Sequence, residues 1–286
     1  MHGQGPQHLH PSTPPLISAF FPEIDIQRPS PLIQSRDGLN FFRFPALQGQ
    51  PGLTHAVFTR RGGASRGPYA ELNLSYTVGD RPERVRENLD RVKRFLGAEK
   101  LLFMDQCHGD GIVVFRARMD GALGPPPPRA DALITDVPGA ALLVKQADCQ
   151  AVILYDPEKR VAANVHCGWR GNVCNVLGRV VERMVREFGC RAERLRAAIG
   201  PSLGPCCGEF RDYGKLFPSA FLRYRVDDCR FDLWSVSCSQ LMEAGLEPSH
   251  MEVACICTRC RTDFFFSYRA EGRTGRFGTV VMLNSG

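Results

Sequence analysis

A cysteine and a histidine that face each other across a hairpin can act as a nucleophile with its base or as two ligands of a metal ion. Reading Asp156-Pro157-Glu158-Lys159 as a four-residue loop sets Tyr155 opposite Arg160 and, at the open end of the hairpin, Cys149 opposite His166. Their Cβ atoms would then lie ~5 Å apart on one face of the sheet. The pairing depends on register, because a slip of one residue puts the two side chains on opposite faces. Gln106-Cys107-His108-Gly109 offers a third group, His108, at another turn between two strands. Two imidazoles and a thiolate would leave a zinc ion with a net charge of about +1 and a free fourth position, the pattern of catalytic zinc. A plainer alternative stays open here: Cys149 as a small core residue and His166 as a hydrogen-bonded turn residue. Cys107 and Cys167 flank these ligands but should point to opposite faces of extended backbone, and they read as bystanders.

The elements that must position these groups are legible from periodicity. Val85, Leu89, Val92 and Leu96 share one face of a helix over 80–96, with Asp80 and Glu83 at capping-box spacing. Short apolar strands are expected over 101–104, 111–115, 132–134, 140–144, 151–155 and 161–165. From Val173 to Phe188 apolar residues recur at helical spacing, with Arg179, Glu182, Arg183 and Arg186 outward. A strand over 195–199, helical pieces near Tyr213 and over 233–244, and strands over 253–256 and 279–283 complete the pattern. Strands and helices mix without a regular βαβ rhythm, which points to an α+β (mixed α/β) fold of packed mixed β-sheets flanked by helices. Residues 1–35, rich in Pro and lacking periodicity, read as a poorly ordered leader, and 36–286 as a single domain. Gly124-Pro125-Pro126-Pro127-Pro128 should be a polyproline II surface loop.

Composition narrows the classes further. A chain of 286 residues, 43 % hydrophobic and 23 % charged, can bury a sizeable core and is neither disordered nor coiled coil. No apolar run reaches the ~18 residues of a membrane span and no signal peptide opens the chain, so a cytoplasmic protein without membrane contact is expected. The net charge of +6 is spread along the chain without an aromatic-basic motif, so nucleic acid is not the expected partner. Twelve cysteines without a signal peptide imply mostly reduced thiols. Cys257 and Cys260 have the spacing of a zinc knuckle or redox pair, but no second pair follows at ribbon distance. They and Cys255 read as buried or incidental thiols, and so do Cys206 and Cys207.

Several motifs in one order make the chain recognisable. They are Thr59-Arg60-Arg61-Gly62-Gly63, Asn73-Leu74 with Gly79-Asp80, Gln106-Cys107-His108-Gly109, Asp131-Ala132-Leu133-Ile134-Thr135, Ala147-Asp148-Cys149, His166-Cys167-Gly168-Trp169-Arg170-Gly171, Ile199-Gly200-Pro201, and Phe266-Ser267-Tyr268-Arg269 followed by Gly275-Arg276. Over residues 50–286 the chain resembles the YfiH-like family, variously labelled polyphenol oxidase or laccase-like, peptidoglycan editing factor, and multifunctional purine nucleoside phosphorylase. Cys107 stands where the family pattern has Val, which leaves the neighbouring ligand position intact. The resemblance implies that His108, Cys149 and His166 hold zinc and form the catalytic centre. It also implies a single YfiH-like α/β domain, cleavage of adenosine, inosine or methylthioadenosine by phosphate, and possible deamination of adenosine.

Phosphorolysis needs phosphate beneath the ribose C1' carbon, a task for the planar arginine fork. Arg60, Arg170, Arg269 and Arg276 lie in the matching Gly-rich motifs and are the candidate phosphate ligands. No His-x-Glu segment of the zinc nucleobase deaminases occurs. Asp148 and Asp131 are the acid–base candidates for deamination, each read more readily as structural. Multicopper oxidation requires more imidazoles than the four outside the leader, His55, His108, His166 and His250, although a single Cu2+ could occupy the His2Cys set in vitro. Two other classes stay in view: a Cys149/His166 hydrolase or amidase acting on cell-wall precursors, and a non-enzymatic regulator with structural zinc.

Overall fold

The computed structural model describes residues 33–116 and 126–285. Its strands are β1 (Gln34–Arg36), β2 (Leu39–Phe42), β3 (Leu53–Phe58), β4 (Lys100–Phe103), β5 (Ile112–Phe115) and β6 (Ala132–Thr135). They continue with β7 (Ala140–Gln146), β8 (Gln150–Asp156), β9 (Val161–Cys167), β10 (Arg196–Ile199), β11 (Met251–Val253) and β12 (Phe277–Leu283). The helices are α1 (Pro82–Leu96), α2 (Trp169–Val173), α3 (Val176–Phe188), α4 (Tyr213–Leu216), α5 (Leu233–Glu243) and α6 (Tyr268–Glu271). Two six-stranded mixed sheets result, ordered β1-β2-β3-β12-β7-β4 and β11-β10-β8-β9-β6-β5.

The sheets pack face to face, and each has helices on its outer side. Ile153 and Tyr155 of β8 point inward against Leu142, Val144 and Val281 of the other sheet. Their neighbours Val152 and Leu154 point outward against Val180 and Met184 of α3 and Trp234 of α5. On the far side α1 sets Val85, Leu89 and Val92 against Phe58, Leu143 and Val280. Central strands are therefore covered on both faces, which is why β8 and β9 read as continuous apolar runs rather than alternating ones. Burying each large apolar side chain of α3 contributes about 2 kcal/mol, so Val180→Asp would dislodge that helix.

Several local expectations change. The capping box at α1 does not form: Arg81 occupies the cap position without a side-chain bond, and Pro82 starts the helix. Asp80 instead accepts hydrogen bonds from Ser65 Oγ at 2.6 Å and Asn73 Nδ2 at 3.0 Å, tying down the preceding loop. The single helix expected from Val173 is divided, because Asn175 turns left-handed and its side chain accepts from Gly178 N to start α3. Strands β1 to β3 were not evident from periodicity, since Leu39, Phe41 and Phe42 are buried together without alternation. β1 begins at Gln34, inside the segment assigned to the leader, whose residues 1–32 lie outside the described residues. Of the proline run, Gly124 and Pro125 lie outside them too, while Pro126 to Pro128 are exposed or half-buried.

Candidate metal centre and its cavity

His166 lies one residue from the end of β9, and Asp131 immediately precedes β6. Because β6 pairs antiparallel with β9, the register carries Asp131 opposite His166. His166 N donates to Asp131 O at 2.7 Å, and His166 Nδ1 lies 2.8 Å from Asp131 Oδ1. The same carboxylate accepts from the backbone N–H of His108 at 2.9 Å and of Gly109 at 2.7 Å. It thus fixes the imidazole and the 106–109 turn together. Gln106 anchors that turn to β7, exchanging two side-chain hydrogen bonds with the backbone of Lys145.

Cys149 comes from the turn between β7 and β8. The strands pair with Ala151 opposite His166 and Asp156 opposite Val161, two residues away from the register expected from sequence. The cause is Asp156, whose Oδ1 accepts from the N–H groups of Glu158 and Lys159, both at 2.9 Å, so it closes the strand instead of entering the loop. A shift of two residues preserves the face. Cys149 therefore still reaches His166, from a turn rather than a ladder position. Asp148 holds this turn at a φ of 85°, accepting from Thr258 Oγ1 (2.7 Å), Ser267 Oγ (2.7 Å) and Arg269 N (2.6 Å). His108 is also left-handed, with φ 60°, and is held by its bond to Asp131. Such conformations are uncommon for residues other than glycine and persist where the surroundings enforce them.

The ligand atoms of His108, Cys149 and His166 lie within 4.8 Å of one another. Gly168 permits this closeness: a Cβ there would stand 2.8 Å from Cys149 Sγ and 3.4 Å from His108 Cδ2. Burial would push the Cys149 thiol up, but the charge of His166 and hydrogen bonds from both histidines outweigh it and hold the thiol at about 6. His166 shows the converse balance: burial lowers it, while Cys149 and Asp131 raise it to about 9. Burial also opposes ionisation of Asp131, yet the His166 bond and the Gly109 N–H bring it down to about 2. A carboxylate on Nδ1 leaves Nε2 of His166 for the shared centre. Two imidazole nitrogens and a readily ionised sulfur, one imidazole oriented by a buried carboxylate, fit a three-ligand zinc site with an open position.

This centre opens into a cavity of about 510 Å3. Arg170, Arg269 and Arg276 line it. Arg170 lies over the Trp169 ring at 4.1 Å, and Arg269 Nη1 donates to Glu209 O at 2.7 Å. Arg276 is half-buried and its pKa is lowered by that burial. Arg60 is a correction: it is absent from this lining, because its guanidinium donates to Ala70 O, Thr262 O and Glu271 Oε1 and lies over Phe266. Sequence reasoning missed Lys145, which lines the cavity and is brought down to about 8 by burial, against the opposing charge of Asp105. Its signal was a lone charge in the apolar strand Ala140–Gln146. Cys107 is also more than a bystander, since its Sγ donates to Asp131 Oδ2 at 3.1 Å. Cys167 packs in the core beneath α3.

The other two histidines among the described residues are engaged elsewhere. His55 Nε2 accepts from Phe44 N at 2.8 Å, and His250 Nδ1 lies 3.0 Å from Glu193 O. The thiols read as incidental do gather: Cys206, Cys207, Cys257 and Cys260 bring their sulfurs within 4.8 Å of one another. No helix among the described residues is long and apolar enough to cross a membrane.

Residues 54–284 match the family described as multi-copper polyphenol oxidoreductase laccase. A protein of Deinococcus radiodurans named purine nucleoside phosphorylase is 35 % identical over 258 residues, 86 % of this chain and 94 % of that one. The YlmD protein of Geobacillus stearothermophilus, also named purine nucleoside phosphorylase, is 32 % identical over 241 residues, 79 % of this chain and 88 % of that protein. Its crystal structure superposes with a TM-score of 0.79 at 28 % identity, covering 89 % of this chain and all of that one. The structure of YfiH from Bacillus licheniformis gives 0.78 at 27 % identity, covering 87 % and 98 %.

Proposed function

The chain belongs to the multi-copper polyphenol oxidoreductase laccase family, and we propose that it is a zinc-dependent purine nucleoside phosphorylase, converting adenosine, inosine or methylthioadenosine and phosphate to free base and ribose 1-phosphate. One observation carries this reading: His108, Cys149 and His166 share a single cavity with Arg170, Arg269, Arg276 and Lys145. The names of its relatives in Deinococcus radiodurans and Geobacillus stearothermophilus support the same reaction. That all twelve cysteines are free suits a reducing, cytoplasmic setting.

Displacement at the ribose C1' carbon needs a positioned phosphate and a departing base whose negative charge is stabilised. The three arginines offer planar forks for phosphate oxygens, and Lys145 adds positive charge at a half-buried position that water screens less than at the surface. Phe210 and the exposed Tyr268, both on the wall, offer ring faces to a purine. Asp131 holds His166 in one tautomer and keeps its Nε2 aimed at the centre. Zinc, when bound by His108, Cys149 and His166, supplies a fixed positive charge beside the reacting groups. Copper can occupy the same set in vitro, but a multicopper centre does not fit, because His55 and His250 are committed to other partners. Deamination of adenosine, the accompanying reaction, finds Asp131 and Asp148 already taken by several donors, which leaves Asp105 as its carboxylate on the cavity wall.

A second reading has its own support. Cys149, His166 and Asp131 form a thiolate, imidazolium and carboxylate series of the kind that thiol hydrolases use. His108, a second imidazole at the same sulfur, favours the metal. Metal analysis joined to inosine and adenosine assays with and without phosphate separates the two. The phosphorylase reading expects base release that requires phosphate and stops on chelation. Phosphate-independent release overturns it, and activity that survives chelation but not thiol alkylation establishes the hydrolase.

A further inference from the structure

We propose that Cys206, Cys207, Cys257 and Cys260 form a second, structural zinc site that clamps together the two loops behind the catalytic cavity. The four sulfurs lie within 4.8 Å of one another. Cys206 and Cys207 stand 3.7 and 3.6 Å from Cys260. A tetrahedron of sulfurs around zinc has edges of about 3.8 Å, from Zn–S bonds of about 2.3 Å. A disulfide would need about 2.05 Å. The 3.7 and 3.6 Å separations match two edges of such a tetrahedron, and the 4.8 Å limit on the others leaves the four sulfurs able to converge on one ion.

Topology builds the cluster. β10 and β11 are parallel, and their partners are separated by 54 residues, Ala197 with Met251 and Ile199 with Val253. Cys206 and Cys260 keep that same separation beyond the strand ends. Between them the two segments stay joined, because Ser202 N donates to Ile256 O at 3.2 Å and Thr258 N to Ser202 O at 3.0 Å. A vicinal pair and a Cys-x-x-Cys pair, each unremarkable alone, are thereby brought face to face.

Cationic side chains border the cluster. The Arg259 side chain lies beside the Cys207 sulfur. Arg230, whose Nη1 donates to Cys206 O at 3.0 Å, adds a second positive charge. These cations oppose the net charge of about −2 that zinc with four thiolates would carry. Four sulfur ligands leave no open position, so the site is structural.

Its consequence reaches the first centre. Thr258, next to Cys257, donates to Asp148, and Leu203 N donates to Asp148 O at 2.8 Å. Asp148 precedes the ligand Cys149, so an ion at the sulfur cluster would stiffen the turn that presents it.

The test uses the full chain purified under reducing conditions. Native mass spectrometry should show two zinc ions on the wild type, one on Cys149→Ala, and one on a Cys257→Ser/Cys260→Ser double variant. Cobalt loaded into Cys149→Ala should give the intense thiolate charge-transfer and tetrahedral bands of a four-sulfur site. A folded Cys149→Ala chain that takes up neither zinc nor cobalt overturns the inference. So does a wild-type mass two hydrogens below that of the reduced chain with Cys260 protected from alkylation, which would mean a disulfide. Should the double variant fail to fold, the wild-type ion count and the cobalt spectrum decide. One zinc, retained in Cys149→Ala and lost in the double variant, would support this site and reject the first.

Discussion

The two sulfur-bearing clusters of this protein differ in donors and in surroundings. His108, Cys149 and His166 combine two nitrogens with one sulfur at the floor of a cavity, and a buried carboxylate orients one ring. Cys206, Cys207, Cys257 and Cys260 offer four sulfurs away from that cavity's wall. With a metal bound, the first set would leave a coordination position free beside cationic side chains, whereas the second would fill every position with protein. Donor count and access, more than the presence of cysteine, separate a site built for reaction from one built for rigidity.

The largest expected effect belongs to the first cluster. Cys149→Ala should lower phosphate-dependent base release by about three orders of magnitude, since a Lewis acid supplies several kcal/mol, while circular dichroism stays native. A variant within tenfold of wild type would erase the contrast between the clusters. Asp131→Asn should weaken metal binding at this centre by about 10–100-fold, because Asn cannot supply the carboxylate that fixes His166 Nδ1. Zinc titration followed by activity would show it, and rescue by excess zinc would separate a positioning role from misfolding.

Smaller effects concern the wall. Arg276→Lys should raise the KM for phosphate by about tenfold with kcat less affected, because an ammonium cannot reproduce a planar fork. An unchanged KM would remove Arg276 from the phosphate ligands. Arg60→Ala should leave that KM alone and cost about 1–2 kcal/mol of stability, measured by urea unfolding, because it loses its bonds to Ala70, Thr262 and Glu271. A raised KM would return Arg60 to the site.

Much of this molecule was legible before folding. Apolar periodicity placed β8, β9, α1 and the body of α3, because both faces of the central strands and one face of each of these helices are buried. The facing of Cys149 and His166 across a hairpin and the placing of His108 at another turn were legible, but the groups that hold these three candidate ligands were not. Asp131 faces His166 only through the register of β6 on β9, and Gly168 makes room only because two turns converge there. Lys145 and Arg60 exchanged expected importance for the same reason: a charge means little until its neighbours are known.

The sequence by itself determined the candidate donor atoms, the segments able to carry them and the limit that the four histidines outside the leader place on copper chemistry, since these follow from residue identity and local periodicity. Tertiary structure decided which thiols meet. Cys206 and Cys260 are 54 residues apart, and only the parallel pairing of β10 with β11, a contact between distant segments with no local signature, brings their sulfurs to 3.7 Å.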